Sequence, residues 1–279
     1  CQTPLVRREW RELSLDERKE YVDTINAMKK APTSDSTLGS KNRYEDFVRV
    51  HAQYTRWAHN NPMFLIWHRW FIHSFEQALK AINPKVVLPF WDWALDSQHP
   101  AASPIFDATS GFGGNGVGDT GCIGSGPFAN WWTESPASFA PHCVRRVFNG
   151  NTTITGIYSP EAMYPMVADS SNFYTFASSF EQSAHASVHN GINGDNFDLP
   201  TAPNDPLFFL HHANVDRYYY LWQLQHPTQA LQYNGYWTNP VTNVSENVST
   251  SNMVQPANVP VSQLQSTTGG HNLLCYTYS

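Results

Sequence analysis

The sequence predicts a mainly α fold: a four-helix bundle surrounded by long loops with little strand. Three observations predict it. Apolar residues recur at helical spacing in several well-separated segments. Six histidines fall into two groups of three: His51, His59 and His68, then His185, His189 and one of the pair His211, His212. Between the groups lies a long stretch rich in Gly, Pro, Ser and Asn that fits no regular period. Two helix pairs that turn histidines inward make a bundle with a metal site between them.

The first helix opens at Ser14, with Glu17 three residues on as a capping box, and carries Leu15, Tyr21, Val22, Ile25 and Met28 before Pro32 stops it. It has no histidine and serves as scaffold. A second helix spans about 44–57, where Phe47, Val48, His51 and Tyr54 share a buried face. His59 cannot extend that helix as a partner of His51, because eight helical residues rise about 12 Å. Asn60-Asn61-Pro62 marks a turn, so His59 folds back toward His51. The third helix spans about 63–82, with His68 one turn beyond Phe64. From 86 to 93 the chain is extended, and from 96 to about 170 no regular element is expected. Around 178–190 a short helix sets His185 and His189 side by side at i and i+4, and Gly191 ends it. Pro206, placed in the first helical turn, opens the last helix, which runs to about Gln225 and carries His211 and His212.

The 279 residues suffice for one large core, and no charged or low-complexity linker divides them, so residues 1–279 read as one domain. Ten Trp, 13 Tyr and 16 Phe suit a core packed with rings. A net charge of −6 without a basic run excludes a nucleic-acid binder. The longest apolar runs fall far short of the roughly 20 residues a bilayer needs, which excludes a membrane span. Cys1, Cys122, Cys143 and Cys275 allow three pairings, of which Cys1 with Cys275 and Cys122 with Cys143 are expected. Three sequons, at Asn151, Asn243 and Asn247, lie in polar stretches where a glycan could sit. Paired cysteines and sequons together predict a secreted, extracellular glycoprotein with a processed end at Cys1.

An all-imidazole donor set narrows the metal. Di-iron bundles need Glu and Glu-x-x-His pairs, absent beside these histidines, and zinc hydrolases of the His-Glu-x-x-His kind need Glu where this chain has Ala186. Imidazole suits copper, and two ions held by neutral ligands keep positive charge for an anion to bridge. The expectation is two copper ions working with dioxygen. His99, His142, His226 and His271 are read as surface or structural, and His73 as facing another side of its helix.

The run from His59 through Phe64 and Trp67 to His68-Arg69, the pair His185-Ala-Ser-Val-His189, and the run Asn204-Asp205-Pro206 through His212 to Asp216-Arg217 resemble the two copper signatures of the tyrosinase and catechol oxidase (polyphenol oxidase) family. The resemblance extends from Arg8 to Tyr278, with three motifs in order, and is to the short, secreted, fungal-like form. It implies a type-3 binuclear site: His51, His59 and His68 on copper A, and His185, His189 and His212 on copper B, with His211 behind them. Glu181 resembles the glutamate that holds a water near copper B, a carboxylate able to relay a phenolic proton. Leu199, 13 residues before His212, resembles the residue gating access above copper B. Tyr276-Thr277-Tyr278 resembles the motif that closes the catalytic domain, with Arg8 its expected partner.

Departures from the family pattern shape the expected activity. Members that hydroxylate monophenols readily often carry Asn directly after the first copper B histidine, where this chain has Ala186; Asn190, after the second, still offers a polar group. Trp57 stands two residues before His59, so the fungal Cys-x-His thioether is unavailable. The chain ends where family proenzymes continue into a C-terminal shielding domain, so an open, active form is expected. The resulting expectation is oxidation of o-diphenols, and of o-aminophenols, to o-quinones with weak or absent monophenol hydroxylation. A full tyrosinase is the alternative, and a haemocyanin-like oxygen carrier the remote one. The oligomeric state stays open.

Overall fold

The computed structural model describes residues 1–136, 140–269 and 273–279; His271 lies outside them. Its helices are α1 (Leu15–Lys30), α2 (Arg43–Gln53), α3 (Thr55–Ala58), α4 (Phe64–Ile82), α5 (Pro160–Ala168), α6 (Phe173–Phe180), α7 (Ala186–Ile192) and α8 (Leu207–Gln225). The strands are short and pair two by two: β1 (Leu5–Arg7), β2 (Gly116–Val117), β3 (Cys122–Ile123), β4 (Trp132–Thr133), β5 (His142–Cys143), β6 (Tyr236–Thr238), β7 (Ser245–Asn247), β8 (Met253–Val254), β9 (Val259–Pro260) and β10 (Tyr276–Tyr278). The mainly α architecture with little strand is as the sequence predicts.

Local chemistry explains most boundaries. Ser14 and Glu17 form the expected reciprocal cap of α1, at 3.2 and 2.8 Å. Asn42 caps α2 by accepting the Glu45 N–H. The second helix is shorter than its periodicity predicts and breaks at Tyr54, because Thr55 bonds back to the His51 and Ala52 carbonyls and bends the chain. One further turn, α3, delivers His59 in an extended conformation at its end. The helix expected around 178–190 is longer and composite: α6, a five-residue π turn at Glu181–His185, then α7. Pro206 stands just outside α8 rather than in its first turn. Within the stretch expected to be irregular, α5 is a real helix, capped by Ser159 and opened by Pro160. Its internal Pro165 and single buried residue, Met163, hide it from a periodicity search.

α4 packs along α8, and between them Phe75 stacks on Phe209 at 3.5 Å with nearly parallel planes. Phe47 from α2 meets both rings edge-on, and Phe71 lies one turn further along α4 toward the histidines. This aromatic seam fixes the spacing of the helices that carry the site.

The chain ends are knotted beside that seam. β1 runs parallel to β10, pairing Leu5 with Tyr276 and Arg7 with Tyr278, and the disulfide Cys1–Cys275 continues the closure. Arg7, fully buried, bonds Glu76 at 2.7 Å and the Tyr278 hydroxyl at 2.9 Å. Asp216 takes the Arg69 guanidinium at 2.5 Å and the hydroxyls of Tyr276 and Tyr278 at 2.7 and 2.5 Å. The expected partner Arg8 is displaced by Arg7. Neighbouring residues of a strand face opposite sides, and here residue 7 turns inward while Arg8 pairs with Glu17 at the surface. The second expected disulfide, Cys122–Cys143, is also present, and among the described residues no helix is long and apolar enough to cross a membrane.

Candidate metal centre

Two clusters of imidazole donors face each other across the bundle: His51, His59 and His68 in one, and His185, His189, His211 and His212 in the other. Within each cluster one ring nitrogen per residue lies within 4.8 Å of every other. α2 supplies His51, the end of α3 His59, and α4 His68. The π turn and α7 supply His185 and His189, and α8 the adjacent pair. The clusters abut where His68 stacks on His212, ring centres 4.2 Å apart.

Backbone carbonyls set how these rings point. The Nδ1 of His59, His68 and His185 each meets the carbonyl four residues earlier, at Thr55, Phe64 and Glu181, at 3.3, 2.9 and 3.0 Å. That of His189 meets the Asn196 carbonyl at 2.8 Å. A carbonyl can only accept, so Nδ1 carries the proton and Nε2 keeps a bare lone pair for a metal. At His185 the π turn matters, since the Glu181 carbonyl takes both the Ala186 N–H and the ring. The Leu199 carbonyl approaches the His51 ring without meeting hydrogen-bond geometry.

The donors then have nothing to bond within the protein. Nε2 of His51, His68 and His185 is buried and unpaired, a costly state for any polar atom unless something binds there. His189 Nε2 lies 3.3 Å from His212 Nε2, the separation expected for two imidazole nitrogens each about 2 Å from one tetrahedral ion. Burial, helped by the neighbouring rings, pushes His51 down to about 3, and burial alone pushes His189 down to about 4. The other imidazoles are lowered in the same way, so all are neutral donors at ordinary pH. The donor set fits a pair of copper ions.

His211 joins the second cluster but not the seam between clusters: it stacks on His185 at 5.3 Å and meets His189 edge-on at 4.7 Å. His212, facing both His189 and His68, occupies the side shared by the two clusters. Phe64 and Phe208, each four residues before a clustered histidine, wall the centre, at 4.7 Å from His185 and 4.1 Å from His212. That spacing was a legible signal of their place on the same helix face.

Glu181 is buried at the edge of the second cluster, and its Oε1 accepts the Asn60 N–H at 2.7 Å. Burial pushes its carboxyl up to about 8, against the opposing pull of that N–H. Ala186 and Leu199 are half-buried and Asn190 is exposed. Asn60 and Asn196 were missed by sequence reasoning because they act through backbone groups, which leave no mark in residue type. All four cysteines are spent in disulfides, so none can bond a histidine, as expected from Trp57. His73 stacks on Tyr276 away from the centre, and His226 bonds the Val167 carbonyl.

Residues 41–225 match the common central domain of tyrosinase. The chain belongs to the tyrosinase family. Proteins of this family carry a binuclear copper site, which the two histidine clusters fit. Among its tyrosinase-family relatives is a tyrosinase-like protein (phomQ1') of Diaporthe leptostromiformis, 36% identical over 258 residues that take in 83% of this chain and 66% of that protein. The chain therefore spans just under two thirds of that relative's length. A tyrosinase (ustQ) of Aspergillus flavus is 33% identical over 299 residues, covering 100% of this chain and 80% of the other. Among solved structures, a polyphenol oxidase from Thermothelomyces thermophila superposes with a TM-score of 0.82 at 25% identity, over 99% of this chain and 89% of that one.

Proposed function

We propose that this tyrosinase-family protein is a copper oxidase that converts o-diphenols to o-quinones, and o-aminophenols to the corresponding o-quinone imines, with dioxygen, while hydroxylating monophenols weakly or not at all. The observation carrying the reading is the pair of facing imidazole clusters with bare, buried Nε2 atoms. His51, His59 and His68 hold copper A, and His185, His189 and His212 hold copper B. What bound copper supplies is two adjacent one-electron centres through which a diphenol's electrons reach dioxygen. The balance is simple: two diphenols lose four electrons and four protons, and one dioxygen becomes two waters.

The protein's own residues supply orientation and proton handling. Carbonyls fix five of the ring planes or approach them, and Phe64 and Phe208 exclude water. Glu181, steadied by Asn60, takes the phenolic proton, since cations at the centre favour its charged form. Ala186, next to His185 in the chain and half-buried, carries no side-chain hydrogen-bonding group, which supports the weak hydroxylation. Leu199 limits the approach of bulky phenols, and Asn190 offers an exposed polar contact beside the second ligand of copper B.

Two disulfides and exposed asparagines at all three sequons support secretion and glycosylation at Asn151, Asn243 and Asn247. Oxygen uptake by the copper-loaded protein with catechol tests the enzyme reading: uptake that a copper chelator abolishes is expected, and no uptake by protein holding two coppers would overturn it.

A further inference from the structure

Copper B's ligand His189 is oriented from outside its own helix. The carbonyl meeting its Nδ1 belongs to Asn196, in the short turn Gly194–Asn196. That turn is held through its middle residue, Asp195, whose buried carboxylate receives the His142 ring at 2.8 Å and the Arg145 N–H at 2.7 Å. The Asp195 N–H returns the bond to the Arg145 carbonyl at 3.0 Å. His142 adjoins Cys143, whose disulfide to Cys122 closes the loop. A covalently tied loop thus reaches the copper B ligand through two side chains and one carbonyl.

The His142 end of this chain of contacts senses protons. Its Nε2 lies 2.8 Å from Asp195 and its Nδ1 2.9 Å from the Ala140 carbonyl, both acceptors. A neutral imidazole has one N–H, so only the protonated ring satisfies both. Among the described residues the other charged group facing this pair is Arg145, with Nε 3.9 Å from Asp195. The Asp195 hydrogen bond outweighs burial and the Arg145 charge and raises the His142 pKa above its ordinary value. The contribution of the pair is therefore complete below the ordinary imidazole pKa and is lost as pH rises through the raised one.

We propose that Asp195 is the positioning residue for His189, and that protonated His142 clamps Asp195, so that the hold on copper B loosens when His142 gives up its proton. This rests on His189 being a copper ligand.

The test is timed release of copper from the fully loaded protein to excess EDTA, with the His189→Ala variant identifying which phase belongs to copper B. Asp195→Ala accelerates that phase about 10- to 100-fold and leaves the other unchanged, the usual size of an outer-sphere effect on a metal. Asp195→Asn, which keeps the shape and removes the charge, accelerates it severalfold and serves where the alanine variant does not fold. In His142→Ala the copper B phase loses the extra rise that the native protein shows as pH climbs through the raised His142 pKa. Equal acceleration of both phases, or a native pH response in His142→Ala, overturns the proposal and leaves the ligand reading standing. Two unchanged phases in His189→Ala overturn both.

Discussion

In the proposed function, substrate choice turns on Ala186. It follows His185 and carries no hydrogen-bonding side chain, while Glu181, four residues earlier, is held from the other side by the Asn60 N–H. Ala186→Asn should raise the ratio of monophenol to diphenol initial rates about tenfold, a fraction of the roughly 100- to 10,000-fold that positioned proton transfer contributes. Paired initial rates on a monophenol and its diphenol check this, with copper content as the control. Residue type and spacing made the two histidine groups legible in sequence, and the structure gathers them into two clusters. Asn60 and Asn196 were not legible, because the groups they offer are an amide N–H and a carbonyl that every residue possesses. Arg7 was missed by one position, since only strand register decides whether residue 7 or 8 turns inward.

Among elements, α4 and α8 bear the most, for they carry ligands and share the Phe75–Phe209 stack. Phe75→Ala should destabilise the fold by about 3–5 kcal/mol, the usual price of a large ring removed from a packed core. Chemical denaturation of the copper-free protein measures it, and Phe47, which meets both rings, should show non-additivity in the double variant. Helices with a clear apolar period and caps were readable: α1 by its capping box, α4 and α8 by their faces. The break at Tyr54 and the π turn at Glu181–His185 were not, though they aim His59 and His185. Both arise where a local backbone bond is exchanged for another, and such an exchange leaves the hydrophobic period intact.

At the scale of the whole molecule, a buried charge network ties the chain ends to the helices behind the site. Asp216 is raised by burial but lowered overall by Arg69 and Arg7. Its contribution to stability is present above the unfolded carboxylate pKa of about 3.9 and disappears as pH falls through the lower folded value. Asp216→Asn should therefore lose about 3–5 kcal/mol near neutrality, because the Arg69 guanidinium is left buried without its anion while Arg7 keeps only Glu76. The variant's denaturation midpoint should also fall less than the native one as the solution is acidified. Such a network has members at residues 7, 69, 76 and 216, far apart in the chain. By itself the sequence determined the helical class and the metal-binding chemistry, because spacing and residue type impose these locally, and it left three cysteine pairings of which the structure forms the expected one. Only the tertiary structure decided which carbonyl orients each ring, that Arg7 rather than Arg8 enters the core, and that His142 reaches Asp195. Those depend on backbone groups and register brought together across the chain, where residue identity alone exerts no direct constraint.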